Sequence, residues 1–247
     1  MRVGGVPVVS LAAVPLPRGW CFDTIWKFEA LSAGRLKDAS WVGPTLALWR
    51  YVSLGAPDMH DIDVAERDAI LGAGWLLGLV QHVERPSWQA NRANGLSHGT
   101  SAAAHARLVG YPPACHIGLD LEGLGDSGVP VMSYVQAWAD AVHAVGYRVL
   151  LYVGYDDGLP DAMVTSLSEH GYVDAFWSDY GPRSLPMGLG WAMKQHAQTT
   201  VAGIGVDPDE VLLGGVIAVM GRVADTEPAP PPEDVETQDP PPDEPHE

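Results

Sequence analysis

The 247-residue sequence has little cysteine, few basic residues and no long apolar run. Its two cysteines, Cys21 and Cys115, are far apart and outside any C-x-x-C spacing. We therefore expect two buried free thiols rather than a disulfide framework or a zinc site. Lysine and arginine number 14 against 31 aspartates and glutamates. So acidic a surface would repel phosphate backbones, which argues against a nucleic-acid partner. No apolar stretch approaches the length of a membrane span, so no membrane insertion is expected.

The two ends of the chain differ in composition from its middle. Residues 1–17 resemble a signal peptide only faintly, because prolines interrupt the apolar run and no A-x-A-like cleavage site follows. We predict an N-terminal arm over 1–17 and a single domain over 18–223. Residues 224–247 hold nine of the 31 acids, eight prolines and none of the 14 basic residues. This composition predicts a disordered Pro-rich, acidic tail: a linker, a solubilising segment or a site for a protein partner.

Between these ends, short apolar runs alternate with helical periods. Helices are predicted most clearly over 97–109 and 131–145. The alternation indicates an α/β fold in which the strands form a single (β/α)8-type TIM barrel, closed or nearly closed. Eight runs with little polar alternation, typical of parallel strands covered on both faces, predict strands over 19–23, 47–53, 75–82, 116–121, 148–153, 175–178, 191–196 and 205–207.

Asp120 and Glu122 come at the C-terminal end of the run 116–121, where barrel enzymes place catalytic groups. At positions i and i+2 they project from the same side of a strand, with Cα atoms about 6.6–7 Å apart. Two carboxylates placed together push each other's pKa values apart, so that one can serve as an acid in glycoside hydrolysis. Taken alone, an Asp-x-Glu pair is also typical of a solvated turn or a helix N-cap.

Two further acids, Asp23 and Asp207, end the first and last of the eight runs. Asp23 has a structural alternative as a buried partner of a nearby arginine such as Arg50. Asp207 has one as the N-cap of a short helix beginning at Pro208. Because clustered buried charges are costly, acids directed from three strands to one mouth favour a functional interpretation.

Short motifs from residue 22 to residue 207 keep the order and spacing of a known group. They include Phe22-Asp23-Thr24, Arg50-Tyr51-Val52, Gly110-Tyr111-Pro112, Gly118-Leu119-Asp120-Leu121-Glu122, Phe176-Trp177-Ser178 and residues 203–207. The chain thereby resembles the glycoside-hydrolase-like domains of actinobacterial proteins and their phages, which are related to the family-25 lysozymes. Those lysozymes carry one acid on the first strand, a D-x-E pair on the fourth and one acid on the last. The matching positions are Asp23, Asp120, Glu122 and Asp207.

The resemblance implies a lysozyme-like hydrolase that cleaves the glycan strand of peptidoglycan with net retention of configuration. It implies that Glu122 is the general acid/base. Asp120 would stabilise the cationic centre or orient the N-acetyl group of the substrate. Asp23 and Asp207 would position the sugar and tune the acidity of Glu122.

Four other side chains are predicted to bind the sugar. Tyr152 and Trp177 would flank the cleft as stacking faces, although each is equally typical of plain core. Gln81 and Gln195 end otherwise apolar strands with an amide that can hydrogen-bond hydroxyl or amide groups. No cofactor or metal is expected, since the nine histidines show no H-E-x-x-H or H-x-H spacing.

Two non-enzymatic alternatives stay open. One is a glycan-binding barrel that has lost turnover, and the other is a structural barrel of a phage or secretion particle. The four acids favour the enzyme, because a pure binder needs no proton donor. Without a convincing signal peptide, the protein is expected to act at the cell wall after phage lysis, non-standard export or secretion.

Overall fold

The computed structural model describes residues 9–39, 43, 45–81, 87–154, 157–181, 185 and 188–224. The tail predicted over 224–247 therefore lies outside the described residues beyond Ala224, and so do residues 1–8 of the predicted arm. Within the described residues, no helix is long and apolar enough to cross a membrane.

Five strand–helix units are followed along the described chain by four further strands. The units are β2 (Gly19–Asp23) and α1 (Ala30–Asp38), β3 (Thr45–Tyr51) and α2 (Val64–Gly72), β4 (Leu76–Gln81) and α3 (Arg92–Leu108), β5 (His116–Asp120) and α4 (Val129–His143), and β6 (Arg148–Val153) and α5 (Asp161–Glu169). The strands that follow are β7 (Ala175–Ser178), β8 (Trp191–Gln195), β9 (Thr199–Val201) and β10 (Ile204–Val211). A further pair, β1 (Val9–Pro15) and β11 (Ala218–Ala224), comes from the two ends of the described chain.

Eight of the strands close a barrel in the order β4-β3-β2-β10-β8-β7-β6-β5, with β5 pairing back to β4. This confirms the predicted TIM-like barrel and all eight of its strands. One expectation is corrected, because β10 runs antiparallel to both of its neighbours, β2 and β8. The strand predicted over 205–207 extends to Val211, so Pro208 lies inside a strand and Asp207 does not cap a helix.

The sequence patterns do not predict β1, β9 or β11. Strands β1 and β11 form an antiparallel ribbon that attaches to β4 where Met220 pairs with Leu77. The backbone N–H of Ala218 also donates to Nδ1 of His116, at 3.0 Å. The ribbon therefore covers the N-terminal ends of β4 and β5, on the far side of the barrel from the candidate site.

Alternation along the strands divides the core into two layers. Inside the barrel lie side chains such as Cys21, Trp49 and Trp177. Between the barrel and the helices lies a larger layer, to which α4 contributes an apolar face of Val131, Tyr134, Val135, Trp138 and Val142. Both cysteines are buried free thiols, as predicted.

Candidate active site

A cavity of about 480 Å³ opens where the parallel barrel strands end. Strand residues that point inward at this level have no further layer above them, so their polar groups meet solvent. All four predicted acids line the cavity, together with three of the four predicted sugar-binding residues. The lining residues are Asp23, Tyr51, Val80, Asp120, Glu122, Tyr152, Trp177, Tyr180, Gln195, Ala197, Gln198 and Asp207.

Glu122 lies in the turn just beyond β5, and its residue is exposed. Its backbone N–H donates to Oδ1 of Asp120 at 2.8 Å, and its carbonyl oxygen accepts from Nε1 of Trp88 at 3.1 Å. The peptide units on either side of Glu122 are thereby anchored. The carboxylate projects into the cavity beside Asp120, within reach of a ligand.

Tyr152 of β6 contacts the Glu122 carboxylate through its hydroxyl. That hydroxyl lies 3.1 Å from Oε1 of Glu122 and 2.7 Å from Oε1 of Gln195, so the two acceptors compete for one proton. Burial and the nearby Glu122 charge raise the pKa of Tyr152 well above its usual value, which keeps the phenol protonated. Tyr152 is only 3% exposed, so it offers a hydroxyl to the site rather than the broad ring face predicted.

Gln195 of β8 continues this hydrogen-bonded chain to β2. Its Nε2 donates to Oδ2 of Asp23 at 3.0 Å, while its Oε1 faces the Tyr152 hydroxyl. One amide therefore holds two groups in fixed relative positions across the cavity. Glu122 and Asp23 are connected through two intervening side chains, Tyr152 and Gln195, which lie on β6 and β8.

Asp23 lies opposite Asp207 in the register of β2 and β10. Burial, followed by the charge of Asp207, raises the pKa of Asp23 to about 7. The pKa of Asp207 is also raised by burial, and a hydrogen bond with Gln198 offsets part of that effect. Near neutral pH, this side of the cavity therefore holds a carboxyl group close to its midpoint of ionisation.

The proposed structural pairing of Asp23 with Arg50 is wrong. Arg50 points out of the barrel, where its Nε lies 2.7 Å from Oε1 of Glu66 and its NH2 group donates to the carbonyl of His60 at 2.9 Å. Neighbouring positions on a strand face opposite sides, so the inward-facing Asp23 meets no such cation.

Gln81 does not reach the cavity. It is fully buried, and its Nε2 donates to the carbonyl oxygens of Ser53 and His98 at 2.5 and 3.0 Å. Its Oε1 accepts from Nε1 of Trp138 at 2.6 Å. All of its polar atoms are used between β4 and the helices, while the preceding Val80 lines the cavity. Gln81 therefore drops out of the predicted sugar-binding set.

Trp177 lines the cavity but is only 2% exposed, and its Nε1 donates to Oδ1 of Asp209 at 2.9 Å. Among the aromatic side chains that line the cavity, Tyr180 is the most exposed, at 69%. Sequence reasoning missed Tyr180, because it lies in a loop beyond β7. It also missed Asp209, although Asp209 repeats the i, i+2 spacing of the acidic pair on β5.

Comparison with solved structures finds a similar fold in other proteins. A solved structure of an uncharacterized B. stearothermophilus protein matches with a TM-score of 0.61 and 18% identity over 78% of this chain and 95% of that one. The Clostridium perfringens spore cortex lytic enzyme SleM matches with a TM-score of 0.52 and 14% identity, over 79% of this chain and 67% of SleM.

A third match is the modular autolysin LytC from Streptococcus pneumoniae, solved in complex with a synthetic peptidoglycan ligand. Its TM-score is 0.51 at 11% identity, over 77% of this chain and 46% of LytC. At such identities the likeness shows a shared fold. Among curated proteins, none matches the chain.

A family model described as the Rv2525c-like, glycoside hydrolase-like domain matches residues 40–211, which is more than half of the chain. The matched region includes Asp120, Glu122 and Asp207 and begins after Asp23. The chain therefore belongs to the Rv2525c-like, glycoside hydrolase-like domain family.

Proposed function

We propose that this domain hydrolyses the glycan strand of bacterial peptidoglycan in the manner of a muramidase, with Glu122 as general acid/base. The observation that carries the proposal is the exposed Glu122 carboxylate, which sits beside Asp120 and contacts the Tyr152 hydroxyl in an open cavity. The substrate class is suggested by two structural relatives: one is named as a spore cortex lytic enzyme, and the other binds a synthetic peptidoglycan ligand.

The proposed reaction begins with proton transfer from Glu122 to the oxygen of the glycosidic bond. As that bond breaks, positive charge develops at the anomeric carbon and its ring oxygen. Asp120 stabilises this charge or orients the substrate's N-acetyl group toward the anomeric carbon. Glu122 then takes a proton from the incoming water, which restores the starting state of the site.

The other polar residues of the cavity hold the sugar in place. Asp207 and Gln198 are at least partly exposed on the side opposite Glu122, where they reach hydroxyl or amide groups of the glycan. Tyr180 supplies the stacking face, because sugar rings pack their C–H groups against aromatic surfaces. Tyr152 and Gln195 position Glu122 and Asp23 from beneath the substrate.

The decisive experiment measures release of reducing sugar from purified peptidoglycan by the unmodified chain and by Glu122→Gln. General acid–base catalysis is worth about 10² to 10⁴ in rate, so Glu122→Gln should lose activity by at least about a hundredfold. Glu169→Gln makes the same chemical change on an exposed residue of α5 and serves as the matched control.

Binding to insoluble glycan is measured on the same variants. We expect Glu122→Gln to bind with unchanged affinity, because the amide keeps the shape and most hydrogen bonds of the acid. Saturable binding without sugar release by the unmodified chain, across several wall types and pH values, would contradict hydrolysis and favour the glycan-binding barrel. If the unmodified chain neither binds glycan nor releases sugar, the result would favour a structural barrel. The hydrolase would act at the cell wall.

A further inference from the structure

We propose that Asp209 is a positioning residue that holds a proton beneath the cavity and donates it to Asp23, so that the two carboxyl groups share one proton. Its effect on catalysis rests on the proposed function, whereas the shared proton itself does not. The pattern of four acids does not include Asp209.

Asp209 lies one step deeper in the barrel than Asp207. The two residues are separated by one position on β10, so they face the same side of the strand, toward the interior. In the register, Asp209 pairs with Cys21 of β2 and with Gln195 of β8. It is 0% exposed and does not line the cavity, so solvent cannot satisfy its carboxyl oxygens.

The hydrogen bonds of Asp209 are incomplete if it is ionised. Oδ1 accepts from Nε1 of Trp177 at 2.9 Å, whereas no donor in the described part of the chain reaches the buried Oδ2. Asp23 lies two positions beyond Cys21, the register partner of Asp209, on the same inward face of β2, and its charge raises the pKa of Asp209. Two carboxylates have only acceptors to offer each other, so a hydrogen bond between them requires a proton on one of them. A proton on Oδ2 of Asp209 satisfies both groups.

The surroundings oppose a negative charge on Asp209. The groups that face it are the Cys21 thiol and the Asp23 carboxyl from β2, Asp207 from its own strand, and the neutral side chains of Trp177 and Gln195. Burial, followed by the charge of Asp23, raises the pKa of Asp209 well above its usual range. Burial likewise raises the pKa of Cys21, which keeps the thiol neutral.

The consequence concerns the orientation and charge of Asp23. Asp23 accepts one hydrogen bond from Gln195 on one side and one from protonated Asp209 below, which leaves its remaining lone pairs directed toward the sugar. Groups that interact this closely lose their protons in steps that belong to the pair. The pair therefore carries one negative charge above neutral pH rather than two, close to the charge that develops on the substrate.

Infrared spectroscopy tests the shared proton without any requirement for activity. At about pH 8, above the midpoint of Asp23, the unmodified chain should show the carbonyl stretch of a buried protonated carboxyl that shifts in D2O. Asp209→Asn should abolish this band, because it removes the protonated carboxyl. The amide is near-isosteric and still donates to Asp23. Asp140→Asn makes the same change at an exposed position of α4 and should leave the band intact.

Trp177→Phe provides a second variant that alters the pair from the other side. It removes the N–H that favours the ionised form of Asp209, so the band should persist to higher pH than in the unmodified chain. The proposal is overturned if the unmodified chain lacks the band at about pH 8, or if Asp209→Asn retains it. A Trp177→Phe band that disappears at lower pH would also overturn it.

Activity provides the functional arm of the test. If the domain hydrolyses glycan, Asp209→Asn should move the pH profile of kcat toward higher pH, because a protonated carboxyl is a stronger donor than an amide and its hydrogen bond lowers the pKa of Asp23. A profile that does not move, in a variant that has lost the band, would overturn the positioning role. If the unmodified chain releases no sugar, the proposed function fails, and the infrared result still decides whether the proton is shared.

Discussion

Asp23 and Asp207 lie directly opposite each other across β2 and β10, although they come from opposite ends of the domain. This pairing exists because β10 enters the barrel from its open mouth and runs antiparallel to its neighbours. In a parallel last strand, the residues that follow Asp207 would lie beyond the mouth, outside the barrel. The antiparallel strand instead places Asp207 at the mouth and continues inward to Asp209.

Replacement of Asp207 tests whether these two carboxyl groups influence each other. Asp207→Asn should lower the pKa of Asp23 below about 7, since the Asp207 charge is the second-largest cause of its increase, after burial. The titration can be followed by ¹³C NMR of the side-chain carboxyl. Asp68→Asn changes an exposed carboxylate on α2 and should leave the titration of Asp23 unaltered. An identical Asp23 titration in both variants would contradict the interaction.

The Tyr152 hydroxyl should support catalysis through Glu122. Tyr152→Phe removes a hydrogen bond to a charged group, which is worth about 1.5–3 kcal/mol. We expect kcat to fall by about tenfold to a hundredfold, while KM changes little because the phenol is buried beneath the substrate. Steady-state kinetics on soluble peptidoglycan fragments provide the measurement. Tyr172→Phe, after α5 and away from the cavity, is the control, and an equally small effect in both variants would argue against the role.

His116 should make the protein sensitive to acid. It is buried, its Nδ1 accepts from the Ala218 backbone, and burial lowers its pKa from 6.5 to about 4. Because the pKa of His116 is depressed in the folded state, the stabilisation of the fold by the neutral imidazole is fully present above pH 6.5. It is lost as the pH falls toward 4. The free energy of unfolding should drop by up to about 3 kcal/mol across that window.

Urea denaturation at a series of pH values measures this loss. His116→Asn keeps an acceptor but has no proton to gain, so its stability should vary less between pH 6.5 and 4 than that of the unmodified chain. His170→Asn, on an exposed histidine, serves as the control. If His116→Asn has the same pH dependence as the unmodified chain, the ribbon of β1 and β11 is not held by the neutral imidazole.

Two glycines permit the close contact between α3 and α4. A Cβ at Gly95 would lie 2.2 Å from the carbonyl oxygen of Tyr134, and one at Gly99 would lie 2.6 Å from that of Trp138. Gly95→Ala should therefore destabilise the domain by about 1–3 kcal/mol, because the helix backbones must separate. Gly34→Ala meets no atom within 4 Å and should stabilise α1 by about 0.5–1 kcal/mol. Thermal unfolding compares the two, and equal melting temperatures would contradict the steric account.

The sequence by itself determined the barrel and much of the candidate site. Apolar runs without polar alternation indicated eight strands, and all eight occur in the barrel, because parallel strands covered on both faces need apolar side chains at every position. Two of these strands end in Asp23 and Asp120, and Glu122 follows in the turn beyond β5; the polarity of these three residues breaks the apolar pattern and so marked the mouth. The period of 3.6 likewise identified α4, since its buried face repeats along the chain.

Only the tertiary structure decided the relationships that join distant segments. The direction of β10 cannot be inferred from so short an apolar run. That direction decides the position of Asp209 and its contact with Asp23. Gln81 and Gln195 look alike in the sequence, since each ends an apolar strand. One faces the helices and the other faces the cavity, because the inward side of a strand depends on how its neighbours pair with it. Local periodicity specifies which residues are buried, whereas closure of the barrel specifies what they are buried against.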